Sequence, residues 1–174
     1  ASGAALFPPE GVDPLGLHGR RRKKPVVISV RGYCFTIGIE LALACDVRVC
    51  SEDATFGQLE INRGIFPFGG GTMRWPTQLG WGNAMRWLLT GDRMPAAEAL
   101  RIGLVQEVHA DPDARALELA ATIASRAPLG VQATLRSAWL TLEQGPEKAA
   151  AALLEEARTL MDTDDAAEGL KSFM

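Results

Sequence analysis

The sequence predicts an α/β fold followed by a helical region, and three observations predict it. A short β-branched run, "PVVISV", is followed within a few residues by a segment of helical period; a second such run, "DVRVCS", comes after that helix; and the last third is alanine-rich and amphipathic. The chain has 174 residues, enough for one domain to bury roughly 70% of its unfolded surface. Its apolar share of 47% and charged share of 22% are those of an ordinary globular protein and exclude a disordered one.

In chain order, "ASGAALFPPEGVDPLGLHG" reads as loop, with Pro and Gly throughout, and residue 1 is Ala rather than Met, so the chain is expected to begin within something longer. Arg20, Arg21, Arg22, Lys23 and Lys24 come next. This run reads as a solvated loop before a strand, with a phosphorylated ligand as the sharper alternative. "PVVISV" (Pro25 to Val30) is the first strand, with Pro at its entry where a missing N–H is tolerated. After "RGYCFTIG" a helix is predicted from Ile37 to Ala44, with Ile37, Leu41 and Ala44 on one face. A helix leaving a strand so directly turns its unpaired N–H groups toward the strand's carboxyl edge, where anionic groups bind in α/β proteins.

"DVRVCS" is the second strand, and "DATFGQLEINRG" leads through a turn into the loop "IFPFGGGTM". Gly69, Gly70 and Gly71 permit close backbone approach. Without a Gly-Lys-Ser/Thr ending the loop is not read as a phosphate loop. From "TMRWPTQLG" the reading is helical, through "GNAMRWLLTG" and "PAAEALRIG". A strand "LVQEV" (Leu104 to Val108) and helices near Asp113 to Ala127, Leu129 to Leu142 and Pro146 to Leu160 complete the chain.

The net charge of −3 and pI near 5.4 give no basic field for nonspecific nucleic-acid binding, so no nucleic-acid partner is expected. No run approaches the roughly 18 apolar residues of a membrane span, and no membrane partner is expected. Cys34, Cys45 and Cys50 form no Cys-x-x-Cys pair, and only His18 and His109 could join them, so no metal site is read. They read as small buried hydrophobes in a reduced compartment, which places the protein in the cytoplasm.

Glu40 and Glu60 are the candidate catalytic residues. Each stands among apolar or small neighbours, "GIELAL" and "GQLEIN". A buried carboxyl is costly unless partnered, and its pKa tends to rise, which is how acids and bases that work near neutral pH arise. Either glutamate alone reads more simply as a surface or capping residue. With a strand-to-helix start and a glycine loop close by in the chain, the pair points to an acid/base site.

Those residues resemble the crotonase superfamily, the enoyl-CoA hydratases and isomerases. The resemblance runs through "KPVVISVRGYCFTIGIELALACD", "ATFGQLEINRGIFPFGGGTMR" and "LLTGDRMPAAEALRIGLVQEV" to "EGLKSFM", roughly Lys24 to Met174. It implies a crotonase-like spiral of strand-helix repeats over residues 1–110, in part and with a loop-rich start, and a helical trimerisation region over 111–174. The implied activity is that of a lyase adding water across the double bond of a trans-2-enoyl-CoA, as in fatty acid β-oxidation. Glu60 would handle the proton at Cα, and Glu40 would position and activate the water. The resemblance assigns the Ile37 N–H to the oxyanion hole and the Phe68 N–H to holding the water. It implies an acyl-CoA substrate, no cofactor beyond that CoA thioester, and a homotrimer or hexamer. Other crotonase reactions, isomerisation or thioester hydrolysis, and a non-catalytic acyl-CoA-binding or assembly fragment are the alternatives.

This sequence departs from the family pattern at Thr36, Ile37 and Gly38, where three glycines are usual; at Leu59, where proline is usual; and at "PFGGGT". In the family a first oxyanion donor lies several tens of residues before the second, whereas 36 residues precede Ile37 here.

Overall fold

The computed structural model describes residues 11–166 and 168. The chain divides into two compact units: Ala1–Arg22 with Val26–Ala120, and Lys23–Pro25 with Ala121–Met174.

The first unit holds two three-stranded sheets. Strand β1 (Val27–Val30) enters the first sheet, and β2 (Tyr33–Phe35) enters the second. Helix α1 (Ile37–Ala44) comes next, and the chain repeats the pattern with β3 (Val47–Cys50) in the first sheet and β4 (Thr55–Gly57) in the second. β1 and β3 pair in parallel, Val27 opposite Val47, and β2 and β4 pair in parallel, Phe35 opposite Gly57. A 3-10 turn over Glu60–Arg63 closes on Gly64, whose φ of 72° needs glycine. Beyond it lie helices α2 (Gly71–Leu79) and α3 (Trp81–Thr90), then β5 (Met94–Pro95) antiparallel to β4, α4 (Ala96–Arg101), and β6 (Glu107–Val108) parallel to β3. Helix α5 spans Pro112–Ala124.

One core serves this unit. Ile39 and Leu43 of α1, Cys50, Phe56, Trp75 and Leu79 of α2, Met94, Leu104 and Val105 pack together in it. Arg48 of β3 is buried, and its side chain donates to the carbonyls of Leu104 and Cys45. Arg22 makes a two-armed ion pair with Asp46, at 2.6 and 2.8 Å, and donates to Ala44 O. That member of the basic run is therefore a strap on the α1–β3 turn, neither solvated nor free for phosphate. Cys34 and Cys50 are buried and Cys45 half-buried, all three as thiols. Burial pushes the Cys34 and Cys50 thiols up to about 11, which keeps them protonated and inert. Among the described residues no group of three or more His, Cys, Asp or Glu could hold a metal ion.

The structure corrects three expectations. In α1 the buried residues are Ile39, Glu40, Ala42 and Leu43, while Ile37 and Leu41 are exposed. The helix is apolar all round, so its period carried no information on which side faces inward. "LVQEV" contributes strand only at Glu107–Val108; Leu104 and Val105 are core residues of a turn whose N–H groups both bond to Ala99 O. β2 and β4, three residues each, lie in segments where the sequence predicts no strand. From Gly11 the opening segment is loop, as read, and it is organised around buried Asp13, which accepts the N–H groups of Leu15, Leu17 and His18. Residues 1–10 lie outside the described residues.

The second unit contains α6 (Pro128–Gln144) and α7 (Pro146–Met161), which pack on each other. Both start at proline, where the missing N–H costs no helical bond, and Gly145, at φ 86°, turns the chain between them. An Arg136–Glu156 ion pair crosses from one to the other.

Candidate active site

Parallel strands end at the same edge of their sheet, so β2 and β4, paired with Phe35 opposite Gly57, deliver their next residues to one place. β2 leads into Thr36 and α1, with Glu40 one turn in; β4 leads into Gln58, Leu59 and Glu60. The junction is tight. The Thr36 N–H bonds to Gly57 O at 2.9 Å, and a Cβ at Gly57 would come within 2.8 Å of the Leu59 side chain and 3.2 Å of Phe35.

Thr36 has φ 52° and is the one described non-glycine residue with positive φ. A β-branched residue there costs on the order of 1–3 kcal/mol. It stands where the family pattern has glycine, and the structure shows why glycine suits. Its carbonyl accepts the N–H groups of Ile39 and Glu40 and so starts the helix. In a trans peptide the Ile37 N–H points the opposite way, one of the helix-start donors that α1 itself cannot satisfy.

Both glutamates are buried, Glu40 with 2% of its surface exposed and Glu60 with 6%. The simpler reading of each as a surface or capping residue is therefore set aside. The glycine loop closes on Glu40. The Gly71 N–H donates to Glu40 Oε1 at 2.9 Å, and the Gly69 N–H is a second donor to the same carboxyl. A Cβ at Gly69 would lie 2.5 Å from Glu40 Oε2, and one at Gly71 would lie 2.8 Å from Pro67. Those two glycines are a clasp for a carboxylate, a role the sequence concealed because 31 residues separate the partners. Burial pushes the Glu40 carboxyl above its ordinary value. The Gly71 N–H opposes the rise, the negative charge of Glu60 adds to it, and the Gly69 N–H and Arg74 oppose it again. Glu60 thus lies near enough for its charge to act on Glu40.

Glu60 has a different environment. Its Oε1 accepts a hydrogen bond from Gln58 Nε2 at 3.0 Å, while Oε2 is buried with no partner. A buried polar atom left unpaired costs roughly 1–3 kcal/mol. Buried polar atoms left unpaired are uncommon, and they occur at catalytic groups and where a water or ion sits. Gln58, 1% exposed, in turn accepts the Trp75 Nε1–H at 3.2 Å. Neither Gln58 nor Trp75 was singled out from the sequence. The legible signal was a polar residue two places before Glu60, between Gly57 and Leu59.

At the start of α1 and in the stretch after Glu60, Ile37, Ile65, Phe66 and Phe68 are exposed, Phe68 to 72%, with polar Asn62 and Arg63 exposed in the same stretch. Ile37 abuts the glycine loop, its Cδ1 2.9 Å from where a Cβ on Gly69 would stand. Arg74 anchors the loop, donating to Leu15 O and Gly69 O.

The chain is similar to proteins that process CoA thioesters. The (E)-benzylidenesuccinyl-CoA hydratase of Thauera aromatica is 39% identical over 153 residues, 86% of this chain and 59% of the relative. An enoyl-CoA hydratase of Mycobacterium tuberculosis is 38% identical over 170 residues, 96% of this chain and 63% of the relative. A crystal structure described as a probable enoyl-CoA hydratase/isomerase from Mycobacterium abscessus superposes with a TM-score of 0.95 at 49% identity, over 98% of this chain and 67% of that one. The chain thus spans about 60% of the length of the curated relatives it matches. The family profile for enoyl-CoA hydratase/isomerase matches residues 8–174. With that match over nearly its whole length and the crotonase fold of its structural neighbours, the chain belongs to the enoyl-CoA hydratase/isomerase family, the crotonases.

Proposed function

We propose that this protein hydrates a trans-2-enoyl-CoA thioester, with Glu40 and Glu60 as its acid/base pair. The observation that carries the reading is the unequal treatment of two buried carboxyls in one site. Glu40 is clasped by backbone N–H groups, and Glu60 keeps one oxygen unpartnered. Glu40, ionised, orients a water and takes its proton as the water oxygen bonds to Cβ. Glu60 Oε2 gives its proton to Cα, and the proton taken by Glu40 passes to solvent and one returns to Glu60 before the next turnover. Negative charge develops on the thioester oxygen between the attack of water and the protonation of Cα, and the Ile37 N–H donates to that oxygen. A preorganised donor of this kind is commonly worth about 3–4 kcal/mol. The Phe68 N–H assists in holding the water, and the apolar rim of Ile37, Ile65, Phe66 and Phe68 receives the acyl chain.

The substrate carrier is CoA, and no metal or redox group takes part. The α/β repeats form part of a crotonase spiral, and the terminal helices assemble a trimer or hexamer in the cytoplasm, in the service of fatty acid β-oxidation.

The test is loss of the conjugated enoyl-thioester absorbance on mixing the purified protein with crotonyl-CoA. Turnover should fall about 10²–10⁴-fold in Glu60→Gln and in Glu40→Gln, with the 3-hydroxyacyl thioester as product. A shifted double bond, or free CoA thiol, would replace hydration by isomerisation or hydrolysis. No turnover, with acyl-CoA binding retained, would make the chain a binding unit.

A further inference from the structure

Trp75 lies wholly buried in the core, yet its one polar atom is spent on the site. Three bonds run in series through buried groups. Trp75 Nε1–H donates to Gln58 Oε1 at 3.2 Å; Gln58 Nε2 donates to Glu60 Oε1 at 3.0 Å; and Gln58 Nε2 donates to Thr36 O at 3.4 Å.

The direction of this series is fixed by chemistry at both ends. An indole N–H can only donate, and a peptide carbonyl can only accept. Gln58 therefore has a single satisfying orientation, with Oε1 toward Trp75 and Nε2 toward Thr36 and Glu60. A glutamine amide whose ends faced the other way would set its NH2 against the indole N–H and its oxygen against the Thr36 carbonyl. With Nε2 so placed, Glu60 Oε1 is always an acceptor, and any proton that Glu60 carries must sit on Oε2, the buried oxygen without a partner.

We propose that Trp75 is a positioning residue which, through Gln58, confines the exchangeable proton of Glu60 to Oε2. The same helix serves both acids. Gly71 opens α2 and gives its N–H to Glu40, and Trp75, four residues later on the same face, governs Glu60. Gln58 also holds the carbonyl of the peptide whose N–H belongs to Ile37, so one amide sets the proton donor and the oxyanion donor together. The catalytic consequence rests on the hydration reading, while the hydrogen-bond series stands on geometry alone.

The experiment replaces Trp75 with benzothienylalanine, which keeps the bicyclic shape and substitutes sulfur for the N–H. Two readouts are taken on the whole chain. The first is solvent exchange of the Gln58 side-chain amide hydrogens, with their 15N resonance identified by its loss in Gln58→Leu. The second is kcat and KM for crotonyl-CoA. Amide exchange should quicken at least about tenfold, and kcat should fall about ten- to hundredfold with KM within about twofold. Azatryptophan, which keeps the N–H, should restore both. Trp75→Phe, which also leaves a cavity, is read only beside these two shape-preserving replacements. Unchanged amide exchange in the benzothienylalanine protein, or a loss confined to KM, overturns the proposal. If the parent protein releases some other product, hydration fails as a reading, and the exchange measurement alone then decides whether Trp75 governs Gln58.

Discussion

At the scale of the residue, Glu40 carries the opposing demands of stability and chemistry. Burial raises its pKa above the ordinary glutamate value despite the backbone N–H groups of the glycine loop. The folded protein then binds the Glu40 proton more tightly than the unfolded chain does. Stability from this group is fully present below the unfolded pKa and is lost as pH rises through the folded one. Glu40→Gln removes the charge that folding must bury and leaves an oxygen to accept the Gly71 N–H. The variant is expected to melt about 2–4 °C above the parent near pH 7, corresponding to about 1 kcal/mol. The gain should shrink as pH falls toward the ordinary glutamate pKa, about 4.3. Thermal melts at a series of pH values check this, and a variant equally destabilised at every pH would show that the clasp, not the charge, dominates. In the proposed mechanism Glu40 is ionised when it takes a proton from water, so the same raised pKa should place the acid-side decline of turnover above that ordinary value.

At the scale of the element, the glycine loop and α2 are the device that joins two distant stretches of chain. Gly69 has no positive φ, so alanine there is acceptable to the backbone; the obstacle is that its Cβ would lie 2.5 Å from Oε2 and 2.8 Å from Cδ of Glu40. Gly69→Ala is expected to lower stability by about 1–3 kcal/mol and turnover by about a hundredfold through displacement of the carboxyl. Denaturant midpoints and kcat measured together check both. A stability loss with undiminished kcat would show that Glu40 finds its place without the clasp. Much of this level was legible in the sequence: α1 after a strand, the glycine loop before a helix, and two glutamates in apolar settings. The illegible parts have physical reasons. A three-residue strand has too few positions to display a period of two, which hid β2 and β4. α1 has apolar residues on every side, which hid its inward face. The Glu40–Gly71 and Gln58–Trp75 bonds join residues 31 and 17 positions apart, and local pattern does not report such pairs.

At the scale of the whole molecule, the two compact units differ in how they dispose of apolar surface. The first buries aromatic and aliphatic side chains in one continuous core. In the second, α6 and α7 bury only Ala133 and Ala149 fully among the described residues, while Leu142, Leu153, Leu154 and Met161 stay exposed. Leu154 and Met161 are one heptad apart and share a face of α7. A helical pair that leaves these large apolar groups exposed has placed them where a neighbour would cover them. That is the physical basis for the proposed trimer or hexamer. Sedimentation of the parent should show a single assembled species at micromolar concentration. The double variant Leu154→Glu with Met161→Glu should shift it toward monomer, since two charges in a covered apolar face cost several kcal/mol per contact. Glu40 and Glu60 belong to the first unit, so the variant's circular dichroism and acyl-CoA binding should reveal whether that unit remains folded when assembly is lost. A parent that sediments as a monomer, or a double variant that assembles unchanged, would remove this face of α7 from the assembly and leave its exposed leucines without a partner.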